Sequence, residues 1–201
     1  MLALPLLAAA AALMPPTPAG HDLVTNDNYP KWALDRDKSA GVIYTVFVTP
    51  DGTIAKCVVR ASRGDKDLAD SICPMIERQR MKPAIDAEGR TTYGVYTDVV
   101  NFVLSGTPGA AGLPIGRGPD AVFTVNALPA GEGPTSNARV TVEVGNDGTV
   151  SHCSPAVKDP GKLAELACHQ LGGAKIGPMK LGERDVVPYV QSLSVQFKAA
   201  G

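Results

Sequence analysis

Two stretches of this chain decide its fold: Tyr44–Cys57, YTVFVTPDGTIAKC, and Val140–Cys153, VTVEVGNDGTVSHC. Asp-Gly-Thr and the cysteine after it recur at an offset of 96, from 51 to 147 and from 57 to 153. Further on, Cys73 matches Cys168, Pro83 matches Pro178 and Phe102 matches Phe197, each at an offset of 95. One deletion between the paired cysteines explains the step, and self-similarity kept this long indicates two copies of one unit. Within each stretch the side chains alternate. Val140, Val142 and Val144 interleave with Arg139, Thr141 and Glu143, the period of a half-buried strand. In the first copy Tyr44, Val46 and Val48 alternate with Ile43, Thr45 and Phe47, so its second face is also apolar enough to be covered. Asp51-Gly52 and Asp147-Gly148 supply hairpin turns, because glycine tolerates positive φ and aspartate tolerates it better than most.

A helix is expected next. Leu68, Ala69, Ile72, Cys73 and Ile76 form one helical stripe, and Leu163, Ala164, Ala167, Cys168 and Leu171 form its counterpart. In the second copy Asp159-Pro160 has the pattern of an N-cap followed by a first-turn proline. Pro83 and Pro178 close the helical region, and a last strand carries Val100 and Phe102, or Leu193, Val195 and Phe197. The expected fold class is α+β: two tandem β-β-α-β units, each a helix packed on a small antiparallel sheet. The expected boundaries are a leader over 1–19, a first unit over 20–104, a Gly/Pro linker over 105–118 and a divergent second unit over 119–201.

In each unit one cysteine falls on the second strand and the other on the buried stripe of the helix, which packing brings face to face. Four cysteines permit three pairings, and only Cys57–Cys73 with Cys153–Cys168 keeps each bridge inside its own unit. Such loops stabilise by about 3 kcal/mol each on the loop-entropy estimate, a large share for units with small cores.

The N-terminal run Leu2–Met14 is continuously apolar but too short to cross a bilayer, and it breaks at Pro15-Pro16-Thr17-Pro18-Ala19. That is the form of an export leader with a small residue at its end, without the usual basic start. Left uncleaved, the same run is an anchor. Either way the rest of the chain faces an oxidising compartment, periplasmic or secreted, where paired cysteines are bridged.

Composition narrows the function. With 19 basic and 20 acidic residues the chain has a formal charge of −1, no broad basic field to hold a phosphate backbone, and only 5% aromatics for base stacking. Nucleic acid is therefore excluded as the main partner. His152-Cys153 and Cys168-His169 resemble a zinc set at first glance. Adjacent strand residues point to opposite faces, however, and the first copy has Lys56 and Pro74 in place of the histidines. A bridged cysteine is no nucleophile either. There is no Gly-rich phosphate loop, serine elbow or His-Glu-x-x-His, so no enzyme, cofactor, metal or small-molecule substrate is expected. Trp32 and Tyr29 are expected as packing residues.

Asn28-Tyr29-Pro30, Gly41-Val42, Asp51-Gly52-Thr53, the helix, Arg80-Met81-Lys82-Pro83 and the strand closing at Phe102 together resemble the C-terminal domain of TonB. The match runs from Asn28 to Leu104 and is fainter in the second copy, which lacks the Tyr-Pro entry. The paired cysteines stand outside the TonB pattern and are similar to a variant seen in some members. The resemblance implies a periplasmic, non-enzymatic module. Its partner would be an extended segment of an outer-membrane or periplasmic protein, accepted on a sheet edge, with a possible link to TonB-dependent transport. Asn28, Tyr29 and Pro30 carry over as the partner-binding entry segment, with Asn28 in place of the family's glutamine. The alternative is a structural or assembly component of the envelope, and a dimer is left open.

Overall fold

The computed structural model describes residues 12–106, 110–129, 133–156, 161–182 and 186–200. Most of the expected leader, residues 1–11, the Asp159-Pro160 cap and residues 107–109 of the expected linker lie outside them. The first half runs β1 (Thr17–Pro18), α1 (Lys31–Leu34), β2 (Ala40–Val48), β3 (Ile54–Gly64), α2 (Lys66–Asp70), α3 (Ile72–Ile76), β4 (Met81–Lys82), β5 (Ala84–Ile85) and β6 (Thr91–Phe102). The second runs β7 (Ala121–Val125), β8 (Thr135–Val144), β9 (Val150–Pro155), α4 (Lys162–Leu171), β10 (Met179–Lys180), β11 (Val186–Val187) and β12 (Tyr189–Ala199). Strands dominate, and the fold is α+β.

The alternation seen in the sequence sets the cores. Val42, Tyr44, Val46 and Val48 are buried on one face of β2 against Leu68, Ile72 and Ile76 of the helices and Phe102 of β6. In the second half Val140, Val142 and Val144 meet Ala164, Ala167 and Leu171 of α4, with Leu193, Val195 and Phe197 of β12. The Asp-Gly turns form as expected, with φ of +81° at Gly52 and +80° at Gly148. A Cβ on Gly52 would lie 2.2 Å from the Met81 carbonyl oxygen, so only glycine fits.

The helix of the first half is broken. It divides at Ser71 into α2 and α3, because Pro74 has no N–H to donate and its ring crowds the carbonyl four residues earlier, at Asp70. The second half has no proline there, and α4 runs unbroken for 10 residues.

The two halves share one sheet. Its strand order is β3-β2-β6-β12-β8-β9, with β5 also on β6 and β7 also on β12. Pairing within each half is antiparallel except for β7, which runs parallel to β12, and β6 and β12 also meet in parallel through Tyr93–Val95 and Tyr189–Gln191. Here the register joins residues 96 apart, such as Tyr93 and Tyr189, whereas the core positions Phe102 and Phe197 differ by 95. Since side chains alternate with period two, an even register and an odd offset put the two helical layers on opposite faces. The second face of the first half is therefore covered: Phe47, Tyr93 and Val95 pack on the core of the second. On the other face Leu13 is buried with Ala84 and Val190.

Both expected bridges are present, Cys57–Cys73 with Cα atoms 5.5 Å apart and Cys153–Cys168 at 5.3 Å. Mapping of unreduced peptides should recover these two pairs alone. Replacing Cys57 and Cys73 together by alanine should lower stability in urea by about 3 kcal/mol.

Four aspartates tie the turns and caps. The Thr49 and Thr53 hydroxyls and the Thr53 N–H hold the Asp51 carboxyl down to about 2, and Thr149 lowers Asp147 in the same way. The Leu68 N–H lowers Asp65. At Asp86 burial pushes upward, but the bonds and charge of Arg90 outweigh it, for a net lowering. Folded values below the ordinary carboxylate range mean that the folded state binds fewer protons as the medium turns acid. The stabilisation is present above about pH 4 and is lost as pH falls toward 2. The urea midpoint should be level above pH 5 and decline below pH 4.

Candidate functional site

Strand addition needs a run of backbone with no partner on one side, and the last strand of the first half offers one. β2 pairs with β6 from Gly94 to Phe102. On the other side β12 reaches only Tyr93–Val95. From Tyr96 to Phe102, among the described residues, no strand lies beside that second edge.

Side chains guard the run. The Val99 N–H donates to Asp98 Oδ1 at 2.8 Å, and the Tyr96 hydroxyl donates to Asp98 Oδ2 at 2.8 Å. Burial first, then Asp98, raises the Tyr96 hydroxyl above its usual pKa, so it stays a donor. Arg117 Nη1 donates to the Thr97 carbonyl at 3.3 Å while Nη2 bonds both oxygens of Asp120 at 2.6 and 2.7 Å. Asn101 brackets the linker: its Oδ1 accepts from the Ile115 N–H at 2.8 Å and its Nδ2 donates to the Ile115 carbonyl at 3.2 Å. The linker comes this close because Gly41 has no side chain, and a Cβ there would lie 2.5 Å from the Leu113 carbonyl oxygen.

Where β6 and β12 part, a cleft of about 650 Å³ opens, lined by Thr97, Arg117, Phe123, Ile176 and Leu193 among others. The edge of β12 offers no matching run. β6 covers Tyr189–Gln191, Asp120 exchanges bonds with the Ser194 backbone, and β7 pairs in parallel with Val195–Ala199. The guard residues were missed at the sequence level. Their one signal is Asp98 and Asn101, an acid and an amide within the strand that closes the first half.

The entry segment lies elsewhere. The Asn28 side chain accepts from the Thr25 N–H at 2.8 Å and the Thr25 hydroxyl at 3.2 Å, closing a capping box on a 3-10 turn. Tyr29 is half-buried, donates its hydroxyl to the Lys38 carbonyl, and sets its ring 4.6 Å from that of Phe102. Pro30 opens α1 at its N-cap. Asn28 and Tyr29 thus serve local structure, and Tyr29 braces the end of β6 rather than its open edge.

His152 pairs with Glu143 at 3.2 Å. Among the described residues no three His, Cys, Asp or Glu side chains converge as metal ligands, and no helix is long and apolar enough to cross a membrane. All four thiols are bridged.

Residues 25–104 match the family model described as Gram-negative bacterial TonB protein C-terminal. No curated protein and no solved structure matches the chain. Replacing Tyr29 by alanine removes its ring from Phe102 and its bond to Lys38. It should lower stability in urea by about 2 kcal/mol.

Proposed function

With residues 25–104 belonging to the TonB C-terminal family as the premise, we propose that this protein is a periplasmic, non-enzymatic protein-binding module. Its partner is an extended segment of an outer-membrane or periplasmic protein, which adds as a strand to Tyr96–Phe102 of β6. The observation that carries this reading is that run of β6, paired with β2 on one side and, among the described residues, with no strand on the other. Main-chain hydrogen bonds would give affinity, and side-chain pockets in the adjoining cleft would give selectivity. To enter, the segment displaces Arg117 from the Thr97 carbonyl and Asp98 from the Val99 N–H. Of the entry segment Asn28-Tyr29-Pro30, Tyr29 contributes by position, its ring against Phe102 holding the end of the strand in place.

Residues 119–201 form, in this reading, a divergent second copy of the same unit. Its last strand is covered, and that favours a supporting role: the second copy fixes the first and walls the cleft, much as an envelope assembly component would. A link to TonB-dependent transport follows from the family alone.

Val99→Pro is the decisive variant. The Val99 N–H donates to Asp98, and Thr97, two residues away and so turned to the same side, gives its carbonyl to Arg117; loss of that N–H should therefore leave the fold intact while the proline ring blocks an incoming strand. Crosslinking in the envelope, with the attached protein identified, should give a defined partner for wild type. Capture should fall about tenfold or more for Val99→Pro, while Arg117→Ala, which uncovers the Thr97 carbonyl, should retain or raise it. Equal capture by wild type and Val99→Pro would remove strand addition as the mode.

A further inference from the structure

The segment just after the apolar N-terminal run is built into the fold. Leu13 is 4% exposed and packs with Ala84 and Val190, which are fully buried, one from each half of the sheet. Met14 exchanges two backbone hydrogen bonds with Ile85, of 3.1 and 2.9 Å. Thr17 and Pro18 pair with Lys82 and Met81, and the Ala19 N–H reaches the Arg80 carbonyl at 3.3 Å. Pro16 lies over Gly94, where a Cβ would come within 2.6 Å of its ring. The residue before this strap, Ala12, is exposed.

A chain cut after Ala19 would lose all of this. Ala84 and Val190 would face water from both halves at once, the Ile85 N–H and carbonyl would lose their partners, and Gly94 would be left bare. A leader peptidase asks for small residues one and three places before the bond it cuts. Ala12 and Ala10 satisfy that rule seven residues earlier than Ala19, which has Thr17 at the third place.

We propose that the leader is removed between Ala12 and Leu13, so that Leu13–Ala19 stays in the mature protein as a strap joining the two halves. The step is hydrolysis by a leader peptidase of the envelope. Water adds across the Ala12–Leu13 peptide bond, Ala12 leaves with the new carboxylate, and Leu13 keeps the nitrogen as its amino group. This rests on the export reading above and moves the expected boundary from Ala19 to Ala12.

Intact mass and N-terminal sequencing of the form recovered from the envelope of the native cells test it. Leu13 should be the first residue. Gly20, any other first residue, or an uncut chain in the envelope would overturn the proposal while leaving the exported binding module standing. An uncut chain found only in the cytosol would remove both. Chains made to begin at Leu13 and at Gly20 give a second measurement: the shorter one should melt about 5 °C lower. Equal melting temperatures would show that the strap is dispensable and would overturn its role.

Discussion

Side chains on a strand point to alternate faces, and this rule organises the molecule once β6 and β12 lie parallel. Each half buries one face of its strands under its own helices. Had the junction joined positions at the repeat spacing, the two cores would lie on the same side of the sheet. The register is instead even and the spacing odd, so the cores fall on opposite faces. Each half then lends apolar side chains to the other. Phe47, Tyr93 and Val95 close the second core, and Val190 meets Ala84 and Leu13 on the far side. Only three residue pairs join the strands directly, so apolar packing on both faces holds the junction rather than the ladder.

What the sequence made legible was local. Alternation along β2 and β8, the Asp-Gly turns and the cysteine on each buried helical stripe are short-range patterns, and each leads to the element found. The apolar second face of β2 was readable too, though what covers it was not. The break in the first helix follows from Pro74, whose missing N–H interrupts a stripe of apolar residues that by spacing alone reads as one helix. The junction depends on pairing between strands some 96 residues apart, which no local pattern encodes. For the same reason β7 was lost in a region whose boundary was set by glycine and proline content, although its Ala121, Phe123 and Val125 pack on the second core. The guarded run of β6 was legible only as a strand. Its open side is defined by where β12 stops.

The rim of the sheet explains why the open run lies inside it. The outer strands are β3 and β9, and both are irregular. β3 has breaks in register around Arg60 and Ala55, and β9 has one at Ser151. β3 also carries Lys56, Arg60 and Arg63 with no acidic residue. Bulges and edge cations are devices that keep a sheet from pairing with stray strands. The interior run is protected differently, by Asp98, Arg117 and Asn101. Rotating a side chain away is easier than straightening a bulged strand, so this protection can be lifted while that of the rim cannot.

That contrast bears on selectivity. A segment entering beside β6 displaces Arg117 Nη1 from the Thr97 carbonyl while Nη2 keeps Asp120, so it must offer that carbonyl an N–H in its place. It must also satisfy the Val99 N–H that Asp98 now serves. Exchanging one hydrogen bond for another has little net effect, whereas leaving either group unpaired costs about 1–3 kcal/mol. An ill-matched strand therefore loses more at the guards than a matched one gains from them. Affinity then rests on the further ladder bonds along Tyr96–Phe102, which only a segment already in register can complete.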